Sequence, residues 1–245
     1  MYDSTTIADN GANWVIGDAA AAQGVYLPVF GKAGETVIGY IKDGKLYNAY
    51  TKTAGTYRAS DFTNVAVFTA DDYAMIDGAS LRTVEGENGL RFTVAVSDEL
   101  LAILAKADSV EFHTLIANNT LLGESALTKA LATGGDNAVA VDKISTKNHA
   151  GFTNNGTTYE NAKHVAILMP ETVDSYQLQL AARGYFTVTY ADGSTADFYT
   201  AFDATNNVRS MYDVANALCD NPAYADNAVV QGIVEAVNAA NTPVA

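Results

Sequence analysis

The chain has 245 residues, 49% of them hydrophobic, with 28 acidic against 14 basic side chains and a formal net charge of −14. That length supports one large domain or two small ones, and the composition excludes disorder. No apolar run approaches the ~20 residues a membrane-spanning helix needs. So acidic a surface repels phosphate backbones and anionic headgroups, which disfavours nucleic acid and membrane binding and leaves a neutral ligand such as polysaccharide easiest to accommodate.

Taken in chain order, the first clear elements are short strands punctuated by glycine and charge. Val25 to Phe30 reads as a strand, followed by the turn cluster Gly31-Lys32-Ala33-Gly34. Glu35 to Tyr50 reads as a hairpin around Asp43-Gly44. A two-residue turn there pairs Lys42 with Lys45, Tyr40 with Tyr47 and Ile38 with Ala49. Tyr40 and Tyr47 then share one face with two lysines, while Val37, Ile41, Leu46 and Tyr50 share the expected core face.

Asn64 to Thr69 is a further strand, and Gly78 to Val96 a second hairpin-like pair turning at Glu85-Gly86-Glu87-Asn88. Ser97 and Asp98 are capping residues for a short helix over Glu99 to Lys106. Val110 to Ala117 returns to strand. Asn118 to Tyr159 is the least regular stretch, with a short helix at Leu127 to Leu131 and loop signals at Gly134-Gly135 and Asn154-Asn155-Gly156. Val165 to Met169 is a buried strand ended by Pro170, and Gln177 to Tyr190 with Ser194 to Phe202 forms a last hairpin at Asp192-Gly193. Val208 to Cys219 and Asp226 to Ala240 read as helices, the second with Val229, Val230, Ile233, Val234 and Val237 on one stripe.

The pattern predicts a mostly β chain: an antiparallel β-sandwich with a C-terminal helical segment packed on it. Residues 1–75 form an N-terminal β-rich segment, either separate or part of the sandwich; 76–205 form the main module and 206–245 the helical segment.

From about Asp77 onward the chain resembles a module recurring in secreted and cell-surface proteins of gut Gram-positive anaerobes. The residues that carry the resemblance are Gly78-Ala79-Ser80-Leu81-Arg82, Gly89-Leu90-Arg91-Phe92, Leu115-Ile116-Ala117 with Leu121-Leu122-Gly123, Ala182-Arg183-Gly184-Tyr185, Ala191-Asp192-Gly193 and Arg209-Ser210. They span roughly two-thirds of the chain, and their order and spacing carry the likeness. Such modules accompany carbohydrate-active domains, dockerins and adhesion repeats, and a fainter likeness is to starch-adherence surface proteins. The resemblance implies export and modular architecture. A bias toward Asn, Thr, Ala, Tyr and Gly with few Lys and Arg agrees with it. Met1 to Thr6 has neither basic n-region nor apolar h-region, so we expect an extracellular, cell-surface protein whose leader has been removed.

Sugar-binding modules present flat aromatic rings, because pyranose C–H faces stack on a π-system while neighbouring polar groups read the hydroxyls. Trp14, in the glycine-flanked stretch before the first clear strand, is one candidate platform, against burial in a core. Tyr40 and Tyr47 form a second, with Asn48 nearby, against ordinary cross-strand stabilisation worth ~0.2–1 kcal/mol. Tyr57 and Tyr26 are lesser candidates. The carboxylates Asp71-Asp72, Glu85, Glu87, Asp192 and Asp197 are turn or surface residues rather than a facing catalytic pair.

There is no Gly-x-Ser-x-Gly elbow. His113, His149 and His164 lack metal-ligand spacing, and phosphate and EF-hand loops are absent. The lone Cys219 allows no intramolecular disulfide. Arg82, Arg91, Arg183 and Arg209 are expected to serve internal ion pairs or carbonyl hydrogen bonds, the alternative being an anion site.

We therefore expect a non-catalytic, cofactor-free module that binds a neutral polysaccharide, an α-glucan such as starch being the specific expectation, with other modules of the same surface protein as partners. The alternatives are a structural spacer or protein-binding adhesion module, and a glycoside hydrolase.

Overall fold

The structure is a computed structural model that describes residues 13–16, 27–31, 36–42, 44–48, 55–58, 66–68, 70–84, 87–122, 126–133, 135, 138–154 and 156–242. Two antiparallel sheets face one another. The first runs β12 (Asn148–Asn154), β13 (Thr157–Leu168), β9 (Gly89–Val96), β7 (Tyr73–Met75), with β8 (Ser80–Arg82) also on β9. The second runs β11 (Ala140–Ile144), β10 (Ser109–Asn118), β14 (Leu180–Thr189), β15 (Thr195–Tyr199), with β16 (Val208–Arg209) on β14.

Strand alternation builds the core between them. Leu90, Phe92, Val94 and Val96 of β9 point inward to meet Phe112 and Ile116 of β10 and Leu180, Ala182, Phe186 and Val188 of β14. Tyr73 meets Phe186 edge-on at 4.8 Å, and Phe186 stacks on Phe198 at 5.2 Å. Gly184 lets the sheets close, since a Cβ there would lie 2.6 Å from Val94 Cγ2. The chain is thus mostly β, with sandwich packing and helices at its end.

Helices close the open sides. Ser97 caps α1 (Asp98–Leu104), whose Leu100, Ile103 and Leu104 enter the core. After α2 (Asn119–Leu122) and α3 (Val173–Gln177), α4 (Met211–Cys219) and α5 (Ala228–Asn241) cover the end of the sandwich. Met211, Ala215, Val230 and Ile233 join the core. Among the described residues, no helix is long and apolar enough to cross a membrane.

A second cluster (Leu115, Ala117, Leu122, Leu127, Ala140, Ala181 and Tyr185) lies on the opposite face of the second sheet. Within it His113 Nδ1 sits 3.1 Å from Asp142 Oδ1, Tyr185 donates its hydroxyl to Asp142 Oδ2 at 2.6 Å, and the His113 and Tyr185 rings stack at 4.5 Å. The network ties β11 to β10 and β14.

Two further sheets precede these. β4 (Lys45–Asn48), β3 (Thr36–Lys42), β2 (Leu27–Gly31) and β6 (Ala66–Phe68) form one, with β6 parallel to β2, and β1 (Asn13–Ile16) pairs β5 (Gly55–Arg58). Leu46 is fully buried in the main core; its N–H donates to Lys106 O and its carbonyl accepts from Ala191 N. Ile41 packs against the same core.

Several local expectations are corrected. The stretch Asn118 to Tyr159, read as least regular, contains β11, β12 and the start of β13. Asn154 pairs with Thr157 across the β12–β13 connection, with Gly156 at φ +81°, and Asn155 lies outside the described residues. Trp14, placed before the first strand, lies within β1. The helix read from Val208 starts at Met211, because Ser210 and Asp213 form a capping box and Val208–Arg209 pairs with Leu180 and Ala181 instead. Gln177 ends a short helix rather than opening a strand. Ala49 and Tyr50 lie outside the described residues, as do Tyr26 and Glu85.

Candidate functional site

The aromatic candidates fall on two antiparallel strand pairs, β3–β4 within the four-stranded sheet and the two-stranded β1–β5. In one, the register sets Tyr40 opposite Tyr47 and Lys42 opposite Lys45, as a two-residue turn requires, with Gly39 opposite Asn48. Tyr47 is half-buried, and Lys45 approaches Asp108 at 3.9 Å on the surface. In the other, Trp14 stands opposite Tyr57. Four of the five candidate residues therefore stand at two directly opposed register positions. That Trp14 and Tyr57 pair was not legible in the sequence, because they lie on strands separated by several others.

A distinct cleft of about 630 Å³ opens between the outer face of the first sheet and the C-terminal helices, within the range of small-molecule sites. One wall is the β12–β13 hairpin. Gly151 takes φ +66° between Ala150 and Phe152, which keep one register opposite Asn161 and Tyr159. Phe152 meets His164 edge-on at 4.8 Å and lines the cleft with Thr153 and Asn154. The other wall is α4 with Asn221 and Tyr224, and the floor carries Arg91 beside Asp77 to Leu81.

The polar groups divide into engaged and open ones. Arg209 donates from Nη1 to the Thr205 and Val208 carbonyls at 2.8 and 2.6 Å. Burial acts to raise the Asp213 carboxyl, but hydrogen bonds from the Ser210 backbone and Gln179, with the Arg209 charge, outweigh it and hold it below the usual carboxylate range. Arg91 is half-buried and makes no hydrogen bond or ion pair among the described residues. Below the hairpin, His164 accepts or donates at 2.7 Å to Thr93 and lies 4.2 Å from the His149 ring. Burial, then His149, then Arg91 lower its pKa from 6.5 to about 4.

Other arginines and carboxylates are engaged within the fold. Arg183 donates to the Thr200 and Leu127 carbonyls, and Arg82 pairs with Glu87. Asp192 caps its own turn at Ser194, while Asp197 accepts from Thr187 and lies 3.4 Å from Lys129. Among the described residues no cluster of His, Cys, Asp and Glu is placed to hold a metal ion. The sequence reading named Arg91 and Arg209 but missed Phe152, Asn154, Asn221 and Tyr224, which come together only through tertiary structure. Comparison with family models and with curated protein sequences gives no match.

Proposed function

We propose that the protein is a non-catalytic, extracellular carbohydrate-binding module whose ligand is a neutral polysaccharide, with an α-glucan such as starch as the specific ligand. The observation that carries this reading is the register that opposes Tyr40 to Tyr47 and Trp14 to Tyr57. Cross-strand aromatic pairs are the residue type that stacks on pyranose faces. The resemblance to modules of secreted proteins of gut Gram-positive anaerobes supports export. The acidic surface favours an uncharged polymer. A shallow platform binds weakly, and neighbouring modules supply avidity.

A protein-contact role is the second reading. It is favoured by Leu121, Val141 and Ile144, which are 66, 45 and 56% exposed on and beside the edge strand β11.

Affinity electrophoresis through gels containing amylopectin, pullulan, xylan, mucin or no glycan separates the two readings. Selective retardation by the α-glucans, lost in Trp14→Ala and in the Tyr40→Ala/Tyr47→Ala double variant, is the expected result. Equal mobility in every gel overturns polysaccharide binding and leaves the protein-contact role.

A further inference from the structure

We propose that the cleft between the β12–β13 hairpin and α4 is a second, independent ligand site that takes a sugar bearing a single carboxylate, with Arg91 as the anion-binding group. In a chain with 28 acidic and 14 basic residues, an arginine is expected to find a carboxylate. Arg82 does so with Glu87, and the lysines Lys129 and Lys45 approach Asp197 and Asp108. Arg91 does not: it stands half-buried in the cleft without a hydrogen bond or ion pair among the described residues. A guanidinium partly stripped of water and left open is a receptor for a planar anion, which its fork engages through two parallel hydrogen bonds.

Arg209 adds a second positive charge to the same cleft. Its Nη1 is committed to backbone carbonyls, which fixes the group. Its Nε passes close to Gly78, 3.8 Å from where a Cβ would be, and Nη2 has no partner among the described residues.

The rest of the lining selects what carries the carboxylate. Asn154, Asn221 and Asp77 offer amide and carboxylate partners for hydroxyls, and Phe152 and Tyr224 on opposite walls offer ring faces. Asp77 and Asp213 balance the two arginines, and the chain as a whole is strongly acidic. A polyanion is therefore repelled, while one carboxylate on an otherwise neutral, hydroxylated ring is accepted. A uronic acid residue is the simplest such ligand. A free peptide C-terminus shares the anion but not the hydroxyls.

The test is a chemical-shift titration of the ¹⁵N-labelled full chain with methyl glucuronide, methyl glucoside, acetate and N-acetylalanine. Methyl glucuronide is expected to shift the resonances of Arg91, Phe152 to Asn154 and Asn221, and methyl glucoside to leave them unchanged. Arg91→Gln is expected to weaken glucuronide binding roughly tenfold to a hundredfold, the loss of a charge-assisted pair, with unchanged thermal unfolding and unchanged retardation by amylopectin. Trp14→Ala is expected to keep glucuronide binding, so failure of one site is distinguishable from failure of the other. Glucoside binding as tight as glucuronide, or an unaffected Arg91→Gln, overturns the proposal. Acetate or N-acetylalanine binding as tightly as glucuronide overturns the sugar and leaves a simple anion or peptide site.

Discussion

Replacing Gly184 with alanine tests whether the two sheets meet where the fold requires. The added methyl would lie 2.6 Å from Val94 Cγ2, with Thr200 Cγ2 and the Tyr73 hydroxyl both at 3.2 Å. Val94 is a short β-branched side chain, 1% exposed, with no room to retreat. Overpacking of this kind costs about 1–3 kcal/mol. The reduced freedom of the unfolded chain offsets about 0.4–1 kcal/mol of that, leaving a net loss of up to about 2.6 kcal/mol. Val94→Ala alone removes two methyls from a sealed site and costs about 1.5–3 kcal/mol.

In the double variant the new methyl occupies the space the valine vacates. Its cost is then expected to fall short of the sum of the single costs by about 1 kcal/mol or more. Urea unfolding followed by circular dichroism measures all three, and each kcal/mol corresponds to roughly 2–4 °C in Tm for a chain of this size. A stabilising Gly184→Ala, or strictly additive single effects, would refute the inter-sheet contact.

Two further predictions concern polar groups at the sheets. Tyr185→Phe removes the hydroxyl that donates to Asp142 at 2.6 Å while keeping the ring; it is expected to cost about 1–3 kcal/mol, with faster amide exchange in β11 that a merely local loss would not produce. Because the folded protein holds His164 at about 4 against an ordinary 6.5, the unfolded chain binds more protons between those values. Stability from this residue is complete above about pH 6.5 and is lost as pH falls toward 4. With the ring half-exposed, screening limits the loss to about 1 kcal/mol; unfolding at pH 7 and 4.5 should show it, and His164→Asn should flatten it.

What could be read from the chain beforehand followed the range of the interaction. Asp43-Gly44 specified the Tyr40–Tyr47 register, and Ser97 and the helical stripe of Val230, Ile233 and Val237 specified the start of one helix and the buried face of another, because each signal acts over a few residues. The strands from 140 to 160 escaped because β12 is exposed on both faces and shows no apolar alternation to mark it. β16 escaped because a two-residue strand carries no periodicity and exists only through pairing with Leu180 and Ala181. The cleft failed to show for the same reason on a larger scale: Arg91, Phe152 and Tyr224 belong to segments that only the finished fold brings together.

The pairing of the central strands also governs how quickly the chain can fold. β9 meets β13 with Gly89 opposite Leu168, and β10 meets β14 with Ser109 opposite Thr189. Each of these seams joins residues roughly sixty to eighty positions apart, and the two loops interleave along the chain, so neither seam is closed by a local turn. Closure entropy must be met twice before either inner face is covered. Folding is therefore expected to be a slow, single cooperative event on the millisecond-to-second scale, and a chain emerging from synthesis stays open to proteases and to pairing with other chains until β14 has been made.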